Sequence, residues 1–222
     1  MVNAQQIFNR TGAELSAEAQ RVVDGTRSQA AAFIDSANTT VQRAMDRKGL
    51  SDRARQAVAA RTYRQAQAQS QKLLDEHIAG IERHKKALID RAFGSDDSSD
   101  PNTLMARRQA RETAAQLDMP WKGMDLMETA QQEGDTVLAK ALAGHAFTMG
   151  WTDVVDQWNH DGSNDRAMRN LLDLKQLPDT TDFGWRMNVS SDFHIAKPSV
   201  LDGLREQEID SLARDDLGGE AA

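Results

Sequence analysis

Cysteine is absent from the 222 residues, so neither a disulfide framework nor a thiolate metal site can form. That composition fits a reducing compartment. Proline occurs four times and tyrosine once, and aromatics make up 5% of the chain. Few positions therefore forbid helix, and a large aromatic core is excluded. No apolar run approaches the roughly 18 residues of a membrane span. The first residues, MVNAQQIFNRTGAELS, hold no apolar stretch of signal-peptide length. A cytoplasmic protein without a membrane span is the expectation. Apolar residues are also scarce, at 39% against the ~45–50% of an ordinary globular domain. Such a chain favours elongated helices with one buried face over a single compact core.

Catalytic patterns are missing as well. The chain has no glycine-rich phosphate loop, no Gly-x-Ser-x-Gly elbow and no His-Glu-x-x-His helix. His77 and His84 are seven residues apart, too far for one metal ion that prefers histidines at i and i+4, and they read as solvated side chains. The Asn159–Asp165 stretch fails the calcium-loop pattern. Aligning Gly162 with that loop's glycine puts Gln157 and Met168 at ligand positions, so an Asx-rich turn before a helix is the better reading. Asp96, Asp97 and Asp100 belong to an acidic linker. No cofactor, metal or enzymatic activity is expected.

What is present is helical periodicity. Phe8, Ala19, Ala30 and Val41 recur every eleven residues, as do Gly12, Val23, Ile34 and Met45, and also Leu15, Thr26 and Ala37. A period of eleven gives a straight helix stripe, so residues 3–48 read as one helix, with a break allowed near Gly12 or Gly25. Arg47-Lys48-Gly49-Leu50-Ser51-Asp52 is a stop and restart, with Gly49 at a left-handed position and Ser51 as a cap. A second helix follows over about 51–93. Two such helices, each ~65 Å long, predict an antiparallel hairpin over 1–93.

Residues 94–101 form the acidic linker and the expected domain boundary. A helical bundle follows over 102–176, in pieces near 102–118, 121–133, 135–149, 151–159 and 163–176. Its core draws on Trp121, Trp151, Trp158, Leu142, Phe147, Val154, Val155 and Leu171. Residues 177–222 read as an extended arm, a C-terminal helix from about 198 to 214 and an acidic tail. Within the arm Phe183, Trp185, Met187 and Val189 alternate, the mark of a half-buried strand, and a short β-hairpin with Phe193–Ile195 is expected. Phe183, Trp185, Met187 and Phe193 are the candidate arm contacts.

Charge divides the chain. Residues 1–93 carry 15 Lys and Arg against 10 Asp and Glu, whereas residues 94–222 carry 12 against 24. The cations concentrate at the turn between the long helices: Arg43, Arg47, Lys48, Arg53, Arg55, Arg61 and Arg64, with only Asp46 and Asp52 among them. This basic tip suits nucleic-acid phosphates or another polyanion, or an acidic protein surface such as another copy's C-terminal half. Tyr63 is the sole aromatic nearby, so base stacking is not supported.

Two resemblances follow from particular segments. Glu128-Thr-Ala-x-x-x-Gly134-Asp135-x-x-Leu138-Ala-x-Ala141, followed by Gly150-Trp151-x-Asp153-Val154-Val155, resembles one helix-turn-helix unit of the tetratricopeptide type, which implies helix-pair packing and a protein-binding groove, so a helical adaptor that binds a partner protein is an alternative expectation. The Ala/Arg/Gln-rich first half, the GDTVLAKALAGHAFTMGWTDVVDQW segment and the stretch FGWRMNVSSDFHIAKP together resemble helical virion and assembly proteins of tailed-phage structural modules. That likeness implies a structural protein present in many copies, a homo-oligomer meeting other structural proteins, located in a virion.

Overall fold

The computed structural model describes residues 2–9, 16–95 and 100–215. Among them the chain is mostly helical, with ten α-helices and no strand. The first three helices are α1 (Ala4–Phe8), α2 (Ala17–Asp46) and α3 (Asp52–Phe93). Five shorter ones follow: α4 (Pro101–Ala115), α5 (Pro120–Gln132), α6 (Thr136–Met149), α7 (Thr152–Trp158) and α8 (Asp165–Gln176). The last two are α9 (Phe183–Asp192) and α10 (Glu206–Arg214), separated by a single 3-10 turn at Ser199–Leu201.

The stop signals act where the sequence places them. Ser51 Oγ accepts from the Ala54 amide at 3.2 Å and caps α3. Asp100 caps α4, with Pro101 at its first position, where no amide is needed. Asp135 accepts from the amides of Val137 and Leu138 at 3.1 and 2.9 Å and starts α6. Gly150, at φ 75°, ends that helix in the left-handed conformation that suits glycine. Gly49 differs from expectation: it is not among the glycines with positive φ, and α2 closes without a left-handed residue. The first helix does not run from residue 3. α1 ends at Phe8 and α2 begins at Ala17, while Gly25 lies inside α2. Gly12 and Leu15 lie outside the described residues.

Contacts gather the chain into two units: Met1–Ala19 with Glu82–Pro178, and Gln20–Ile81 with Asp179–Ala222. The division runs through α2 and α3, not through residues 94–101, of which 96–99 lie outside the described residues. Different stretches of each long helix pack on different later elements, which is why the linker does not mark it.

Unit 1 holds a core of large side chains. Met127, Leu142, Val154, Val155, Met168 and Leu171 are fully or almost fully buried, and Trp158 joins them. Ala4 and Ile7 of α1 enter the same cluster, and the Ala4 amide donates to Asp156 at 2.6 Å. Trp151, Leu117, Leu126, Leu138, Phe147 and Leu172 pack around it half-buried. Trp121, expected in this core, is 61% exposed. It follows Pro120 in the first turn of α5, with the Lys122 ammonium 5.6 Å from its ring centroid.

Unit 2 is built on small side chains. Ala59, Ala60, Tyr63 and Ala66 of α3 cluster with Phe33, Ile34, Ala37 and Val41 of α2. Ala30 of α2 meets Leu73 and Leu74 of α3 in a second cluster. Later α2 residues thus meet earlier α3 residues. The bulk comes from the last segment: Ile195, Leu201 and Ile209 in the first cluster, Val189 and Phe193 in the second.

The expected β-hairpin is not there. Phe183–Asp192 is helix α9, capped by Asp182, which accepts from the Trp185 amide at 2.6 Å. The alternation of apolar residues concealed two helical stripes. Trp185, Val189 and Phe193 are spaced by four and turn inward, whereas Phe183 and Met187, also four apart, turn outward.

Candidate functional site

The basic cluster has a partner in its own chain. Arg53, Arg61 and Arg64 lie on α3, and the acidic helix α10 and the residue that follows it meet all three. Arg64 contacts two acids of α10, Glu206 Oε2 at 2.6 Å and Asp210 Oδ1 at 2.7 Å. Burial works against its charge, but the hydrogen bond to Glu206 and the two carboxylates hold its pKa above the ordinary arginine value. Arg61 donates to the carbonyls of Ala213 and Asp215, at 3.4 and 2.8 Å. These acceptors lie at the C-terminal end of α10, where the helix leaves carbonyls without partners and favours a cation. Arg53 pairs with the Asp215 carboxylate at 2.8 Å. Between these polar contacts Ile209 is fully buried against the alanine face of α3.

Arg55 is used differently. It pairs with Asp52 at 3.1 Å and donates to the Arg47 carbonyl at 3.0 Å, tying the start of α3 to the end of α2. Arg43, Arg47 and Lys48 are exposed, and their side chains make no ion pair among the described residues. The expected seven-cation patch is therefore reduced to three open cations. The carboxylates that meet Arg53 and Arg64 belong to the same chain.

The arm residues split in the same way. Phe193 is buried and its carbonyl accepts from the Ser70 hydroxyl. Trp185 is half-buried, its ring nearly parallel to the His77 ring at 15° and 6.2 Å. Phe183 and Met187 are 77% and 60% exposed.

Sequence reasoning missed the histidines. His77 is only 1% exposed, and neither ring nitrogen has a hydrogen-bond partner. It is held between Trp185 and Phe193. Burial pushes its pKa below the usual histidine value and the Arg27 charge adds to this, while Asp192 and Asp24 act the other way. Arg27 and Asp192 themselves pair at 3.1 Å. His84 is buried too, its Nδ1 3.9 Å from Glu18, which also takes Arg91 at 3.1 Å. A usable signal existed: His77, Leu73 and Leu74 share a helical face with Ile81 and His84, so the histidines continue an apolar stripe.

The Asx-rich turn is internally satisfied. Asn159 donates to Asp165 at 2.9 Å and accepts from the Asn164 amide at 3.0 Å, and Asp161 accepts from the Ser163 amide at 2.9 Å. Among the described residues no cluster of three or more metal-ligating side chains forms, and no helix is long and apolar enough to cross a membrane. Asp96 and Asp97 lie outside the described residues.

The fold thus defines a class of protein: a helical one in which acidic and basic segments neutralise each other within unit 2. Comparison with known protein families, curated proteins and solved structures finds no match to this chain.

Proposed function

We propose that this chain is a non-enzymatic structural or assembly protein: a long helical hairpin and a helical bundle that work by association with copies of themselves and with other structural proteins. The observation that carries the reading is the outer stripe of α9. Phe183 and Met187 stand exposed on a helix whose opposite face, Trp185, Val189 and Phe193, is docked. A fixed helix that shows an apolar pair to solvent is a contact surface in waiting. The likeness to tailed-phage virion and assembly proteins supports a place in a particle.

Light scattering on a sizing column, at low and high salt, tests the reading. A discrete oligomer that persists at high salt is expected, because the acidic-to-basic contact is already made within the chain. Phe183→Asp with Met187→Asp then returns the protein to a monomer. A wild-type monomer at both salts overturns the proposal.

A second reading, contact with nucleic acid or another polyanion, rests on exposed Arg43, Arg47 and Lys48. Three phosphate contacts give a log–log salt slope of about −2.7 for duplex DNA. A markedly steeper slope, or binding unchanged when all three become Ala, overturns that version.

A further inference from the structure

Unit 1 contains a groove of about 680 Å³ with an apolar floor and a cationic rim. The floor is aromatic at its centre. The Phe93 and Phe147 rings lie 6.2 Å apart at 52°, and Gly144 lies beneath Phe93. A Cβ at Gly144 would come within 3.4 Å of that ring, so the glycine lets Phe93 lie close on α6 and keeps the floor low. Ala141 and Val137 continue the apolar surface along α6, and Ile89 continues it on α3.

The rim runs against the charge of its surroundings. Residues 94–222 hold twice as many acids as bases. Yet the groove gathers Arg107, Arg111, Lys140 and Lys175 from that stretch, with Lys86 beside them. Asp90 is the one carboxylate among the described lining residues, and Lys86 already occupies it at 2.6 Å. The Lys175 ammonium sits 5.1 Å from the ring centroids of both Phe8 and Phe147, a cation at the edge of the aromatic floor. Lys140 has no ion pair among the described residues. The volume lies in the range of small-ligand sites, about 300–1,000 Å³. A bare inorganic anion would leave the floor wet, and a neutral apolar molecule would leave Lys140 without an ion-pair partner among the described residues.

We propose that this groove binds a small amphipathic anion, one whose apolar body lies on Phe93 and Phe147 and whose single carboxylate, phosphate or sulfonate head meets the Lys140–Lys175 rim. The site is independent of the association reading, because none of its residues belongs to α9. Isothermal titration of the full chain with decanoate, below its micelle concentration, tests it. One decanoate per chain is expected at saturation, with 1-decanol and inorganic phosphate each at least tenfold weaker. Lys140→Glu with Lys175→Glu places two acids on an exposed rim and lowers decanoate affinity at least tenfold. Ala141→Trp fills the floor and does the same. Circular-dichroism melting confirms that each variant stays folded. Absence of saturable decanoate binding, equal binding of decanol, or wild-type affinity in the Lys140→Glu, Lys175→Glu variant overturns the proposal.

Discussion

The two units draw their interiors from different parts of the chain. Unit 1 packs large side chains of α5 to α8 together with alanines of α3 to α6, with α1 laid against α7 and α8. Unit 2 packs two long helices through alanine together with Phe33, Ile34, Tyr63 and Leu73, and further large residues come from Val189, Phe193, Ile195, Leu201 and Ile209. Alanine faces let helix backbones approach closely, but each removes little apolar surface from water. At about 25 cal/mol per Å², a buried leucine or isoleucine contributes far more than a buried alanine. The low apolar content of the chain is thus concentrated unevenly. Unit 1 keeps a core of its own, whereas unit 2 depends on residues distant in sequence.

That contrast can be broken most strongly by large-to-small changes. Leu142→Ala in unit 1 and Ile209→Ala in unit 2 each empty a fully buried site and are expected to cost about 2–5 kcal/mol in urea unfolding. The Ile209 variant should also expose Arg61 and Arg64 to modification, because α10 loses its apolar anchor. The reverse change separates the units further. Ala60→Leu forces bulk into a fully buried position of the cluster shared by α2 and α3 and is expected to cost about 1–3 kcal/mol. An effect set by acidity falls between these and the surface changes. His77 has a lowered folded pKa, so its contribution is complete above the unfolded value of about 6.5 and is lost as pH falls through the folded value. His77→Phe should flatten stability over that window when melting is followed from pH 7 to pH 5. Arg64→Ala removes a partly exposed ion-pair pivot and is expected to cost about 1 kcal/mol, less at high salt. The smallest change runs the other way. A methyl at Gly25 or Gly80 would meet nothing within 4 Å, so Gly25→Ala and Gly80→Ala should each stabilise by about 0.5–1 kcal/mol.

The sequence announces the helix boundaries because they depend on local chemistry: Ser51, Asp100, Asp135, Gly150 and the prolines at 101 and 120 act within one turn of themselves. The 183–193 stretch was misleading for a physical reason. Two i,i+4 stripes offset by two residues imitate strand alternation, and only the docking of Trp185 and Phe193 around His77 decides between them. The basic cluster was legible as charge, but the pairing of Arg64 with Glu206 and Asp210 spans more than 140 residues, and no local pattern encodes that register. The buried histidines were hidden by residue type, since their position on an apolar stripe outweighed their polarity. The cationic groove of α3, α4, α6 and α8 left no motif, because its residues converge only once the bundle is packed.

The interleaving of the two units has a consequence for the order in which the chain leaves the ribosome. α2 and most of α3 are made before unit 1 is complete, yet the cluster around Ala59, Ala60 and Tyr63 remains without Ile195, Leu201 and Ile209 until the segment beyond Pro178 emerges. Unit 1, whose last residue is Pro178, has all its parts before then. The long helices therefore pass through that part of synthesis with an unfinished apolar face, and a stretch translated after unit 1 is the one that closes it.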